Sequence, residues 1–178
     1  MRIRSISRSV HCSGGLASRK GCARTAPAKR AYWNIMPLIR AGGQEDLAQI
    51  RAIQAASPEA SQWDPSEYLS YDLRVLVEDD GSIAGFAVSR ETAPDECELL
   101  NLAVAPAIRR RGAARRLVQS IVESFQTTAG ISVFLEVRES NMVARAFYKS
   151  LNFQEVTRRQ NYYDQPLESA IVMKFHSC

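Results

Sequence analysis

Acidic residues are absent from the first 44 positions of this 178-residue chain, where the first carboxylate is Glu45. Cysteine is sparse as well. Of four, Cys12 and Cys22 lie in the basic leading segment, Cys97 in the body and Cys178 at the end, with no CxxC pair and only two histidines. That excludes a disulfide framework and any zinc-type ligand spacing. No bound metal is expected, and a reducing, cytoplasmic compartment is. Cys97 reads as a small buried apolar residue rather than a nucleophile. Long apolar runs are missing too. The longest, Ile83 to Val88, is core-strand length, far short of the roughly 20 residues of a membrane span. No membrane partner is expected.

The missing acids make the net charge of +4 misleading. Eight of the 23 Lys and Arg precede Met36, which leaves 15 against 19 acidic residues beyond it, a formal charge of −4. A mildly acidic body argues against nucleic acid as a partner. Residues 1–36 are rich in Arg, Ser, Ala and Gly without hydrophobic periodicity, so they are expected to be a basic, disordered extension. Arg and Ser without acids fit a transit peptide; Met36 as the native start, with upstream sequence before it, is preferred, and a basic interaction tail is a third option.

Beyond Met36 the elements are legible. A short strand at Leu38–Ala41 leads to a helix at Gln44–Ala56, with Leu47, Ile50 and Ile53 on one face. A short helix is expected from Pro65, then strands Leu73–Val77 and Ile83–Ser89 around an Asp79-Asp80-Gly81 turn. Glu91–Asp95 reads as a polar connection, followed by a strand at Glu98–Val104. Gly112–Gln126 is the clearest helix, repeating Ala113, Leu117, Ile121 and Phe125. Gly130 ends that segment and a strand runs from Ile131 to Val137. A helix capped at Ser140 or Asn141 runs to Leu151, with Asn152 in the left-handed C′ position. Strands Phe153–Val156 and Ala170–Phe175 close the chain, separated by polar Thr157–Ser169. The class is α/β (α+β): a mixed sheet of six to seven strands flanked by about four helices.

The most informative stretch is Asn101–Leu117, NLAVAPAIRRRGAARRL. An apolar strand stops at Pro106, passes three arginines and opens a helix at Gly112. The unpaired amides of a helix's first turn, with its positive dipole end, attract anions. Gly112 lets a ligand approach the backbone, and Arg109, Arg110 and Arg111 add charge for phosphate. A pyrophosphate cradle and a solvated basic loop both fit.

The chain resembles the GCN5-related N-acetyltransferase family over Leu38–Phe175. Arg109-Arg110-Arg111-Gly112-Ala113-Ala114 is similar to that family's [R/Q]-x-x-G-x-[G/A] loop, and it stands between a strand and a helix. Leu135-Glu136-Val137-Arg138-Glu139-Ser140-Asn141, Ala146–Phe153 and Arg158-Arg159-Gln160-Asn161-Tyr162-Tyr163 resemble the bacterial ribosomal-protein-alanine N-acetyltransferase subgroup. Asn152 stands for the Gly of LGF, Gln160 interrupts RRNYY, and Ala114 replaces the second loop glycine. The resemblance implies that residues 37–178 form an acetyltransferase domain using acetyl-CoA. The implied acceptor is the α-amine of a protein, a ribosomal one with N-terminal alanine. It also implies Glu136 as general base and Tyr148 as general acid. Leu102, Ala103 and Val104 would offer backbone bonds to pantetheine and acetyl, Arg110–Arg115 would hold pyrophosphate, and Asn141 would contact the cofactor.

The chemistry suits these residues. An attacking amine must be neutral, and an α-amine of pKa ~8 is on the order of a hundredfold richer in that form than lysine at ~10.4. A carboxylate can take the remaining proton and a phenol can protonate the departing thiolate. Taken alone, Glu136 would be a solvent-facing strand residue and Tyr148 a core aromatic. Tyr162 and Tyr163 are candidates for an acceptor groove, with Glu96 and Glu98 as partners for the ammonium and Trp63 as a wall. The competing functions are a lysine or small-molecule acetyltransferase of the same fold and a non-catalytic acyl-CoA-binding module.

Overall fold

The protein is described from a computed structural model over residues 37–125 and 132–176. The basic extension, its expected disorder and the Met36 start therefore lie outside the described residues. So do Cys12, Cys22, Cys178, the expected end of the long helix at Gln126, and Gly130 and Ile131.

Seven strands form one mixed sheet. Strand β1 is Leu38–Ala41, and a 3₁₀ turn at Gln44–Asp46 opens helix α1, Leu47–Ala55. The Asp46 carboxylate accepts the Gly43 amide at 2.9 Å and both Arg40 guanidinium nitrogens, at 2.7 and 2.8 Å, which ties β1 to α1. A 3₁₀ helix follows at Pro65–Ser70, capped by the Asp64 side chain on the Ser66 amide. It is the short helix expected from Pro65, in 3₁₀ form. Strands β2 (Asp72–Val77), β3 (Ile83–Ala93) and β4 (Glu96–Val104) form an antiparallel meander. The expected polar connection at Glu91–Asp95 is mostly strand: Glu91 pairs with Cys97 and Ala93 with Glu96, leaving a tight turn.

Helix α2, Ala113–Phe125, buries Ala113, Leu117, Val118, Ile121 and Val122 against one sheet face. Sequestering a side chain such as Leu117 contributes roughly 1.5–3 kcal/mol. Strand β5 (Ser132–Arg138) runs parallel to β4, and helix α3 (Met142–Lys149) follows. Asn141 caps α3 through its side chain on the Ala144 amide, and Asn152 past its end is left-handed at φ 67°, both as expected. Helix α1 covers the opposite face with Leu47, Ile50 and Ile53, over Leu73, Val75, Phe86 and Ala103.

The end of the chain differs from the expectation. Thr157–Ser169 is not a connection: β6 (Gln154–Asp164) and β7 (Leu167–His176) form a long hairpin whose outer strand is the sheet edge. Exposed on both faces, β6 carries no apolar alternation to betray it.

Candidate active site

Strands β4 and β5 begin as neighbours and then part. Glu96–Leu99 pair with Ser132–Leu135, and no pair follows although β4 continues to Val104 and β5 to Arg138. The split begins at a bulge. Ser89 faces Leu99 and Val88 faces Asn101, so Leu100 is an extra residue in β4. A bulge bends and twists its strand, here turning β4 away from β5. The result is a groove of about 1200 Å³ into which the β5-facing edge of Leu100–Val104 opens without a strand partner.

One end of this groove is the loop before α2. Arg110 and Gly112 both have positive φ, 66° and 86°. Left-handed residues in succession with right-handed ones turn consecutive amides into one concavity. The first helical amide to find a carbonyl four residues back is that of Arg116, on Gly112 at 3.1 Å, so the amides just before it have no helix acceptor. The charge map points the same way. Among the described residues ten basic side chains pair with a carboxylate. The ones that do not are Arg110, Arg111, Arg115, Arg116 and Lys174. Of these, Lys174 lies over the Phe134 ring and Arg116 donates to the Pro37 carbonyl. Unneutralised positive charge is thus concentrated at one helix N-terminus.

The expected site residues fall into three groups. Leu102, Ala103, Val104, Arg109, Arg110, Gly112, Ala113, Ala114, Arg115, Glu136, Asn141, Tyr148 and Tyr163 all border the groove, as does Trp63. Arg111 is exposed beside it, and Tyr162 reaches Glu136 from β6. Glu96 and Glu98 do not border it. The Glu98 carboxylate is held by Arg90 at 2.7 Å, so it is not waiting for an ammonium. Arg109 also differs from expectation. Its guanidinium turns from the helix end to the Val104 carbonyl (3.1 Å), the Ser57 hydroxyl (2.8 Å) and Glu59 (3.4 Å). The Val104 carbonyl is thereby occupied, and Ala103 shares the β3-facing register of Ala105, whose amide donates to Ala84, which leaves Leu102 as the freer backbone of the three.

Glu136 alternates away from Val133, Leu135 and Val137, which pack under α2 and α3, and so faces the other side of the sheet. There Arg159 of β6 pairs with it at 2.5 Å, and the Tyr162 hydroxyl hydrogen-bonds to it. That bond, with some burial, pushes the Tyr162 phenol up to about 12. The reach is made possible by a break in the hairpin: Arg159 pairs with Ala170, yet Tyr163 already pairs with Glu168, leaving two surplus residues in β6 around left-handed Asn161. Tyr163 is fixed by Arg138, whose guanidinium lies 4.0 Å from its ring centroid and bonds Glu168 at 3.2 Å.

Tyr148 is buried on α3 between Phe147 (5.1 Å) and Phe153 (5.6 Å). Burial raises its pKa well above the ordinary phenol value, so the hydroxyl is protonated at neutral pH. Among the described residues that hydroxyl has no hydrogen-bond partner and is not sealed from the groove. Cys97 is fully buried, its thiol pushed up to about 11 by burial, which fits the apolar role expected of it.

No residue pattern announces the buried polar chain beneath the groove. Asn101 donates to the Ser61 carbonyl (3.0 Å) and the Tyr68 hydroxyl (2.7 Å), and Tyr68 donates to Gln54 (2.6 Å). Gln54 in turn holds the Trp63 carbonyl at 2.7 Å. Arg159 was missed because its strand was read as a connection. Among the described residues no group of three His, Cys, Asp or Glu could hold a metal ion, and no helix is long and apolar enough to cross a membrane.

The sequence model of the acetyltransferase (GNAT) family matches residues 45–153. The chain is 42% identical over 96 residues to the [ribosomal protein bS18]-alanine N-acetyltransferase of Salmonella typhimurium, covering 53% of this chain and 64% of that relative's length. The enzyme of the same name from Escherichia coli is 37% identical over 108 residues, 60% of this chain and 70% of the relative. The crystal structure of the ribosomal-protein-S18-alanine N-acetyltransferase from Escherichia coli superposes with a TM-score of 0.67 at 31% identity, covering 79% of this chain and 94% of that one.

Proposed function

The chain belongs to the acetyltransferase (GNAT) family, and from that premise we propose that it transfers acetyl from acetyl-CoA to the N-terminal α-amine of a protein. The acceptor we propose is a ribosomal protein beginning with alanine, the substrate class in the names of the Salmonella and Escherichia coli relatives. Catalysis is assigned to residues 37–178, and a ribosomal acceptor puts the reaction in the cytoplasm.

The observation that carries the coenzyme half is the coincidence of free amides and unpaired cations at the start of α2. Pyrophosphate fits there, held by the Gly112–Arg115 amides with Arg110, Arg111 and Arg115 around it. The open β4 edge at Leu102 suits the amide-bearing pantetheine arm, and Asn141 borders the same space while capping α3. When bound, acetyl-CoA supplies an activated thioester.

This chain's residues then divide the proton work. Glu136 accepts the proton of the attacking α-amine, directly or through water, as the new N–C bond forms. The Tyr148 hydroxyl donates its proton to the sulfur as the C–S bond breaks. Its raised pKa supports that assignment, because the group is a phenol and not a phenolate at working pH. Among the described residues no Ser or Cys borders the groove in a nucleophile setting, which supports direct attack.

Intact-mass analysis tests the reading. An Ala-start ribosomal peptide or protein incubated with enzyme and acetyl-CoA gains one acetyl on its α-amine, while free lysine and small amines turn over far more slowly. Equal or better turnover of lysine or small amines would overturn the acceptor assignment. Tight acetyl-CoA binding without transfer to any amine would favour a binding module.

A further inference from the structure

The loop between α1 and the 3₁₀ helix, residues 56–64, walls the groove opposite the β6–β7 hairpin, on the sheet face that carries Glu136. Within the loop, the Gln62 amide donates to the Gln54, Ser57 and Ala60 carbonyls (3.3, 3.1 and 2.9 Å), and Gln54 of α1 holds the Trp63 carbonyl at 2.7 Å. From outside, the loop is held at two further points by β4 and the segment after it. At the far point Asn101 grips the Ser61 carbonyl. At the near point Arg109 reaches across with its whole guanidinium. Nη2 donates to the Ala56 carbonyl (3.2 Å) and the Ser57 hydroxyl (2.8 Å), Nη1 faces Glu59 (3.4 Å), and Nε holds the Val104 carbonyl (3.1 Å). Ser57 is buried at this junction. A planar fork with five fixed donors suits four acceptors spread over two chain segments; an ammonium does not.

We infer that Arg109 is a positioning residue for the acceptor wall and not a phosphate ligand, stapling the loop 56–64 to the end of β4. Its place in the chain makes this consequential. The next residue, left-handed Arg110, begins the anion-binding loop. One residue therefore joins the strand that would bind the pantetheine arm, the loop that would bind pyrophosphate, and the wall that carries Trp63. The expected result is acceptor recognition that depends on Arg109 while coenzyme affinity does not. This inference rests on the acetyltransferase reading given above for its kinetic consequences, but the staple itself can be read without turnover.

The test compares Arg109→Lys, Ser57→Ala and the double variant. For an Ala-start peptide, each single change raises KM about 5–10-fold, the equivalent of roughly one hydrogen bond, with kcat held within about twofold. The double variant is no worse than Arg109→Lys, because the contact that Ser57→Ala removes is among those already lost with the guanidinium. Acetyl-CoA Kd by calorimetry, and its dependence on salt, stay as in the wild type. Hydrogen exchange at residues 57–64 accelerates about tenfold in all three, while the core of α2 is unchanged. Weakened acetyl-CoA binding in Arg109→Lys with an unmoved peptide KM would overturn the inference and make Arg109 a phosphate ligand. So would multiplicative effects in the double variant, or unchanged exchange in the loop. An inert wild type would remove the functional reading alone, and loop exchange would then decide the staple by itself.

Discussion

Two glycines of this protein share a backbone conformation and differ in where they sit, which makes Gly112→Ala a controlled experiment. Gly112 has φ 86° and Gly81, in the β2–β3 turn, has φ 83°; a Cβ at either would meet nothing within 4 Å. The cost of alanine is therefore conformational at both, roughly 1–2 kcal/mol for a left-handed L-residue. At about 2–4 °C per kcal/mol for a domain of this size, Gly81→Ala lowers Tm by about 2–8 °C and leaves acetyl-CoA binding alone. Gly112 lies in an exposed loop that can relax to negative φ, so its penalty appears when the amides must be restored around the anion. One to two kcal/mol there corresponds to about 5–30-fold weaker acetyl-CoA binding. Calorimetric titration gives Kd and differential scanning gives Tm. Gly112→Asn, which tolerates the left-handed region better, recovers most of the affinity. An unchanged Kd in Gly112→Ala would refute the placement of the anion at this loop. An equal affinity loss in Gly81→Ala would show that general destabilisation, not the loop, is being measured.

Other predictions test the proton-handling groups and the frame. Tyr148→Phe keeps the ring contacts with Phe147 and Phe153, so Tm changes by no more than ~2 °C, while kcat falls about 100-fold or more; a variant with wild-type kcat would remove Tyr148 from the mechanism. Glu136→Gln removes the charge that holds up the Tyr162 pKa, so Tyr162 should ionise below its value of about 12, toward ~10; ultraviolet titration of tyrosinate against a Tyr162→Phe reference reads this. Asp46→Asn breaks the Arg40 fork and the bond to Gly43, costing about 2–4 kcal/mol in urea unfolding at neutral pH. Because Arg40 holds the Asp46 carboxyl below its ordinary value, this stabilisation is complete above the usual ~3.9 and fades as pH falls through the lower folded pKa. The gap between variant and wild type should therefore close in strong acid, and a constant gap would contradict the assignment.

On the proposed reading, the coenzyme half of the groove is the part legible in the sequence, because it is local. Leu102–Arg115 is one stretch, and the role proposed for it falls on backbone amides whose conformation Gly112 and the helix start announce. Glu136 and Tyr148 were found through resemblance, and their settings could not be read from the chain. Period-2 alternation places Glu136 off the core face but says nothing of Arg159, which belongs to an edge strand with no periodic signal. Glu98 looked available because its cross-strand partner Arg90 is set by the β3–β4 register, and the bulge at Leu100 shifts that register in a way no residue pattern declares. Arg109 looked like a phosphate ligand because it is one of three arginines in a row, yet three of its four partners come from a segment 50 to 53 positions away and the fourth from the preceding strand end.

The pair formed by Arg159 and Glu136 bears on which amine the site can use. A carboxylate exposed alone to the groove would attract any ammonium, lysine included, and stabilise it in the unreactive charged form. With Arg159 at 2.5 Å the carboxylate is already neutralised, so a second cation gains less from approaching it. A neutral amine suffers no such handicap and can still pass its proton to the carboxylate, directly or through water. The α-amine, with its lower pKa, reaches that neutral state at far smaller cost than lysine. On the proposed reading, selection of chain termini over side chains is therefore built partly into the charge balance around Glu136, and the shape of the groove has correspondingly less of that discrimination to supply.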